Sequence, residues 1–251
     1  MASVSLKSLW VLLVRRNTKL VQQAPKKTQR KTTYKGAAKK PNVPLLARNE
    51  NQQLYIDALK SSSQVIVFGP AGTGKTYIAA THAANQYITK AIDKIVITRP
   101  HVAVGRDVGY LKGSLEDKTL PWALPVLDVL EQHLSKGAVE VAVKNKNVEV
   151  APMALMRGRS FDNAFILVDE AQNVTVDEIK MLLTRVGEGS TIVLNGDLQQ
   201  SDIKETSGLA KITHLAKKHN LPLPVIEFGL DDVVRSATCK MWIEVFMKEN
   251  L

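Results

Sequence analysis

The apolar positions of this chain fall into short unbroken runs separated by stretches of helical periodicity. Gln64–Phe68, Lys94–Thr98, 165–168, 191–194 and 225–228 are each about a strand long. Runs of this kind, without polar alternation, predict strands buried on both faces. Between them, Leu54, Ala58 and Leu59 recur at helical spacing just before the first strand. Further helices are expected from residue 77, over about 122–134, and near 175–186, 207–219 and 236–249. The segment 139–150 alternates apolar and polar residues around Lys144-Asn145-Lys146-Asn147, which reads as a small hairpin. Strands alternating with helices predict an α/β fold with a parallel, helix-covered sheet of five main strands.

One connection has its own chemistry. The first strand runs into Gly69-Pro70-Ala71-Gly72-Thr73-Gly74-Lys75-Thr76 and then Tyr77-Ile78-Ala79-Ala80, a helix start. Strand, glycine-rich loop and helix in this order form a P-loop, whose backbone N–H groups cradle phosphates. Lys75 is placed to reach the β/γ-phosphates and the Thr76 hydroxyl to ligate Mg²⁺, at a helix N-terminus that favours anions. The loop residues Gly69, Pro70, Ala71, Gly72, Thr73, Gly74, Lys75 and Thr76 are therefore the expected nucleoside-triphosphate contacts. Asp169-Glu170 follows the apolar run 165–168, where strand ends meet ligands in open α/β sheets. Asp169 is the expected Mg²⁺ partner of Thr76, and Glu170 the expected base for an attacking water. The 191–194 run ends in Gly196-Asp197-Leu198-Gln199-Gln200, whose polar groups would lie beside Asp169.

Composition alters the picture in one respect. The 251-residue chain carries a net charge of +10, yet residues 1–49 hold twelve Lys/Arg and no acid. That leaves 22 basic residues against all 24 acidic ones, a net of −2, for residues 50–251. The basicity belongs to a tail, residues 1–47, expected to be largely disordered and able to act as a phosphate-binding arm or a solvated extension. Its apolar run at 9–14 loosely resembles a transit peptide, with a basic amphipathic or disordered tail preferred. No apolar run approaches the ~18 residues that span a bilayer, so a cytoplasmic protein without membrane contact is expected. The one cysteine, Cys239, excludes an intrachain disulfide and a cysteine zinc cage. Its neighbours Ala237, Met241, Trp242, Val245 and Phe246 suggest that it lies on a buried helix face.

With these residues in view, the chain strongly resembles the PhoH family of P-loop ATPases, whose core is similar to the first motor domain of superfamily-1 helicases. The resemblance runs from Asn51 to about Ser236. It includes Asn51-Gln52, GPAGTGKT, Thr98-Arg99-Pro100, Val108-Gly109-Tyr110-Leu111, Met156-Arg157-Gly158-Arg159, Val168-Asp169-Glu170-Ala171-Gln172-Asn173, Gly196-Asp197 with Gln200, and Asp232-Val233-Val234-Arg235. It implies a RecA-like three-layer fold over residues 48–251 and roles by position. Gln52 would read the adenine edge, and Gln172 and Gln200 would couple the γ-phosphate to nucleic acid. Arg99 would face nucleic acid, and Arg235 is the leading arginine-finger candidate. Arg185 reads equally as a helix-surface charge. Arg106 and Lys112 stand where relatives usually carry an acid and a proline, which adds positive charge to the loop after the second strand. Some relatives add an N-terminal metal-dependent nuclease domain, but the carboxylate-free residues 1–49 exclude one embedded there.

The resemblance further implies a Mg²⁺-dependent ATPase acting on single-stranded RNA or DNA, with RNA favoured and helicase action possible. Such helicases complete their site with a second motor domain, and this chain has room for one. A ring homo-oligomer, with a hexamer favoured, is expected, in which Arg235, Arg157 or Arg159 of a neighbour completes each site. The rival readings are an ATP-dependent assembly switch and a P-loop kinase.

Overall fold

A computed structural model of the chain describes residues 44–100, 115–203 and 206–249. The apolar run 9–14, most of the basic tail, and the loop positions Arg106, 108–111 and Lys112 lie outside the described residues.

Six strands form one parallel sheet: β1 (Gln64–Phe68), β2 (Lys94–Thr98), β3 (Val148–Val150), β4 (Ala164–Val168), β5 (Thr191–Gly196) and β6 (Val225–Glu227). Their spatial order is β3-β2-β4-β5-β1-β6, and every pairing is parallel. The central strands are buried on both faces, as their unbroken apolar runs require. Alternate residues divide between two cores. Phe165, Leu167, Val65, Val67 and Val193 face one side, and Ile166, Val168, Ile66, Ile192 and Leu194 the other.

Helices α1 (Glu50–Ser61), α2 (Lys75–Ile88), α3 (Leu115–Leu134) and α4 (Lys136–Lys144) cover the first side. Helices α5 (Val176–Leu183) and α6 (Gly208–Lys218) cover the second. The result is the expected three-layer α/β fold. A terminal helix, α7 (Ala237–Lys248), buries none of its residues. Leu45 and Ala47 already pack against the first core, so the folded unit takes in residues that the charge pattern assigns to the tail.

Three local expectations need correction. The segment 139–150 is not a hairpin: it is α4 followed by the sixth strand, β3. Val139 and Ala142, one helical turn apart, are its buried positions, and packing on α3 overrides the period-two alternation of Val139-Glu140-Val141-Ala142-Val143. Helix α3 starts at Leu115, earlier than expected, and runs through Pro121 and Pro125. Cys239 is exposed because α7 meets little of the chain beyond the turn at Leu230–Asp232. On α1, Leu54 is likewise exposed, and the buried stripe is Gln52, Tyr55, Ile56, Ala58 and Leu59.

Candidate functional site: a phosphate cleft at the strand ends

The loop after β1 closes tightly because two glycines take conformations that side chains resist. Gly69 has φ 141°, and a Cβ there would collide with the Phe228 backbone. Gly72 has φ 85°, and a Cβ there would meet the Arg235 side chain, its Cγ at 2.6 Å. The loop delivers Gly74, left-handed at φ 91°, to the start of α2. That helix start has no side-chain cap and no acid in its first turn, so its free N–H groups and positive dipole end open onto the cleft. By contrast α1, α5 and α6 are capped by Asn49, Thr175 and Ser207.

The cleft has a volume of about 240 Å³ and is lined by Gly72, Lys75, Thr76, Asp169, Glu170, Asn195, Asp197 and Arg235 among others. Lys75 Nζ donates to the loop's own Gly69 O at 2.7 Å, Pro70 O at 2.9 Å and Thr73 Oγ1 at 3.3 Å. Burial pushes the Lys75 ammonium below its ordinary range, while Asp197, Asp169 and Glu170 pull the other way. The lysine is thus a cation on the cleft floor, balanced by three carboxylates.

Asp169 and Glu170 are neighbours in different environments. Asp169 is half-buried. Burial and the Glu170 charge raise its carboxyl to about 6, against the lowering influence of Arg99 and the Thr76 hydroxyl. Thr76 Oγ1 donates to Asp169 Oδ1 at 3.3 Å. Glu170 takes a left-handed conformation, φ 53° and ψ 37°, which costs a non-glycine residue about 1–3 kcal/mol. Its carboxylate accepts from Gln172 Nε2 at 2.7 Å and lies 3.8 Å from Arg99 Nη2. Gln172 is buried and also accepts from Asp197 N at 3.0 Å, so it ties the end of β4 to the end of β5. Burial raises the Asp197 carboxyl.

Asn195 was not anticipated. It is the last side chain of β5, 1% exposed, and its Nδ2 donates to Thr76 Oγ1 at 2.8 Å and Asp169 Oδ1 at 2.7 Å. Its signal in the sequence is slight: a polar residue closing the apolar run 191–194. Thr76, Asp169 and Asn195 form a compact set of hard oxygen and amide groups. The Asn195 Oδ1 is a buried acceptor without a partner among the described residues. This donor set suits Mg²⁺, which takes one or two protein oxygens and completes its shell with phosphate and water. Among the described residues no cluster of three His, Cys, Asp or Glu offers an all-protein cage instead.

A second hollow of about 300 Å³ adjoins the first and is lined by Leu46, Arg48, Gln52, Gly72, Tyr77, Val234 and Arg235. Gln52 is buried there, donating from Nε2 to Thr73 O at 2.9 Å and accepting from Arg48 N at 2.9 Å. Its amide keeps one N–H and one lone pair for a further partner. Asp232 accepts from Asn51 Nδ2 and from Gly229 N, both at 2.8 Å, which bolts the approach to Arg235 onto α1.

The arginines and Gln200 occupy different surroundings. Arg235 lies against Gly72 of its own chain and lines the cleft, Val234 N donating to Gly72 O at 3.0 Å, and its side chain is exposed. Arg159 is held by Glu149 in a two-pronged pair, 2.6 and 2.8 Å, and lies over the Phe161 ring, so it is engaged within its own chain. Arg157 is exposed. The Gln200 side chain is exposed beyond the cleft lining, and only its carbonyl meets Gln172 Nε2, at 3.4 Å.

The PhoH family, described as PhoH-like protein, matches residues 44–247. Protein PhoH of Escherichia coli K12 is 40% identical over 207 residues, covering 81% of this chain and 58% of that protein. A PhoH-like protein of Bacillus subtilis 168 is 39% identical over 201 residues, covering 79% and 63%. This chain thus spans about 58% of the length of the Escherichia coli relative. A solved structure titled for DNA unwinding at forked duplex DNA by two coordinating Pif1 helicases covers 74% of this chain and 44% of its own, at 13% identity. Its TM-score of 0.31 is too low to argue from. With its family profile matched over most of the described residues and two relatives near 40% identity, the chain belongs to the PhoH family.

Proposed function

We propose that the chain binds ATP with Mg²⁺ and hydrolyses it, as a helicase-like motor on single-stranded nucleic acid, RNA favoured, within a ring of like chains. The observation that carries the hydrolytic reading is the meeting of Thr76, Asp169 and Glu170 at the mouth of the phosphate loop. Phosphates entering the cleft would draw Lys75 Nζ from the carbonyls of Gly69 and Pro70 onto the β/γ-oxygens. Bound Mg²⁺, held by Thr76 and Asp169, would neutralise charge on those oxygens. Glu170, aimed by its backbone and held by Gln172 and Arg99, is the group to take a proton from the attacking water. Gln52, with one donor and one acceptor to spare at the back of the second hollow, suits the edge of adenine.

Arg99 supports the nucleic-acid reading. It is partly exposed at the end of β2 and 3.8 Å from Glu170, so a phosphate backbone competing for it would alter the base. Self-assembly is favoured by α7, whose Met241, Trp242, Val245 and Phe246 form one exposed apolar face beginning six residues after Arg235. With Arg159 paired to Glu149, the exposed Arg235 and Arg157 are the arginines best placed to complete a neighbour's site. The same face supports a second reading, an ATP-dependent assembly switch.

The test is ATP turnover on size-defined protein with single-stranded RNA, single-stranded DNA or neither. Stimulation by one nucleic acid is expected. Glu170→Gln should lower turnover about 10²–10⁴-fold while ATP stays bound. Turnover indifferent to nucleic acid would remove the motor reading. Tight ATP binding without turnover, with nucleotide-dependent oligomer size, would favour the switch.

A further inference from the structure

Asn195 occupies a place in the sheet that only one strand can supply. In the order β4-β5-β1, the middle strand is the one whose end borders both the Asp169 turn and the phosphate loop. The register pairs Val168 with Leu194 and Val67 with Asn195. Strand alternation then puts Asn195 on the face of Val193, Leu167 and Val67, the face that α2 and its Thr76 cover. A side chain here touches both halves of the site at once, and it does so through Nδ2, at 2.8 Å from Thr76 Oγ1 and 2.7 Å from Asp169 Oδ1. The orientation of the amide follows from chemistry: the opposite one would press its oxygen against the Asp169 carboxylate.

That orientation leaves Oδ1 buried and without a donor among the described residues, in a side chain that lines the cleft. An aliphatic residue would carry no unmet acceptor but would also lose both Nδ2 hydrogen bonds. The bridge accounts for Nδ2 and leaves Oδ1 unmet, whereas a donor that arrives with the ligand would satisfy it.

We infer that Asn195 is a positioning residue for the metal half of this site. Its Nδ2 keeps Thr76 and Asp169 together, and its Oδ1 is the acceptor for a water in the Mg²⁺ shell. The inference rests on the nucleotide-site reading of residues 69–76. It predicts that Asn195 governs metal affinity and leaves the metal-free grip on phosphate to the loop itself.

The test uses the full chain and a fluorescent, non-hydrolysable ATP analogue. Its affinity is measured with EDTA and with Mg²⁺, and Mn²⁺ binding to the nucleotide complex is followed by electron paramagnetic resonance. Two variants are compared with the unaltered protein: Asn195→Ala, and Asn195→Ser, which keeps a polar atom but is too short to span both partners. Both should retain metal-free affinity within about twofold while Mn²⁺ affinity falls about tenfold or more, the usual effect of removing a group behind a metal ligand. Unchanged Mn²⁺ affinity, or an equal loss with and without metal in both variants, overturns the inference and leaves Asn195 a structural residue. If the unaltered protein gains nothing from Mg²⁺, the nucleotide–metal reading itself fails, an outcome distinct from the failure of Asn195 alone.

Discussion

Helices α2 and α7 read alike in the sequence, each an apolar stripe at helical spacing behind a polar loop, and they end in opposite situations. Helix α2 buries Ile78, Ala79, Ala80, Ala83 and Ala84 against the sheet and leaves its N-terminus uncapped. Helix α7 is capped by Ser236, buries nothing, and leaves Trp242 and Phe246 stacked on each other at 52% and 45% exposure. The first helix spends its apolar face on the core and its open end on the cleft. The second has a satisfied end and an unspent face. Helical periodicity reports which face favours burial and is silent on what covers it.

The difference can be broken most sharply at the open end of α2. Lys75→Ala removes the cation held inside the phosphate loop, and turnover should fall at least about 10²–10³-fold in a steady-state ATPase assay. Loss of a buried anchor comes next. Ile78→Ala should destabilise the fold by about 2–5 kcal/mol in urea unfolding, whereas Phe246→Ala in the isolated chain should cost within ~0.5 kcal/mol. A large effect at Phe246 that disappears on dilution would mean that a second copy covers α7.

The pH dependence probes α2 and the cleft at its start. Burial, assisted by the Lys60 charge, holds His82 on α2 down at about 4 against an ordinary 6.5. Between those values the unfolded chain binds a proton that the folded chain resists, so stability is full above about 6.5 and declines as pH falls toward 4, by at most about 3 kcal/mol. Denaturant midpoints across that range measure it, and a flat profile would show that His82 charges without cost. Asp169 brings a second loss on acidification, of binding and not of stability. Its carboxyl is raised to about 6, so Mg²⁺-dependent nucleotide binding should weaken as pH falls through that value and Asp169 takes up a proton. The smallest effect is at Cys239, exposed on α7. It should react with a thiol reagent in the native protein without a change in melting temperature, and slower reaction at high protein concentration would place α7 in an interface.

Much of this was legible in advance. Gly69 to Thr76 lie within eight consecutive residues, and Asp169-Glu170 follows a strand marked by its own unbroken apolar run. Local spacing sufficed there because a strand, a tight glycine turn and an uncapped helix form one continuous piece of backbone. The α4–β3 segment was misread because Val139-Glu140-Val141-Ala142-Val143 satisfies both periods, and packing on α3 decided between them.

The sequence by itself determined a parallel α/β sheet, a phosphate-cradling loop and an acidic pair at a strand end, since each depends on residues a few positions apart. Tertiary structure alone decided which distant groups share the cleft. Asn195 reaches Thr76 and Asp169 because β5 is inserted between β4 and β1, and strand order is a property of the whole sheet that no local pattern encodes. Arg235 returns to Gly72 because β6 pairs beside β1 and the turn after β6 is tied to α1 through Asp232. The exposure of Cys239 has the same origin: burial is a relation between two surfaces, and the sequence of α7 describes one of them.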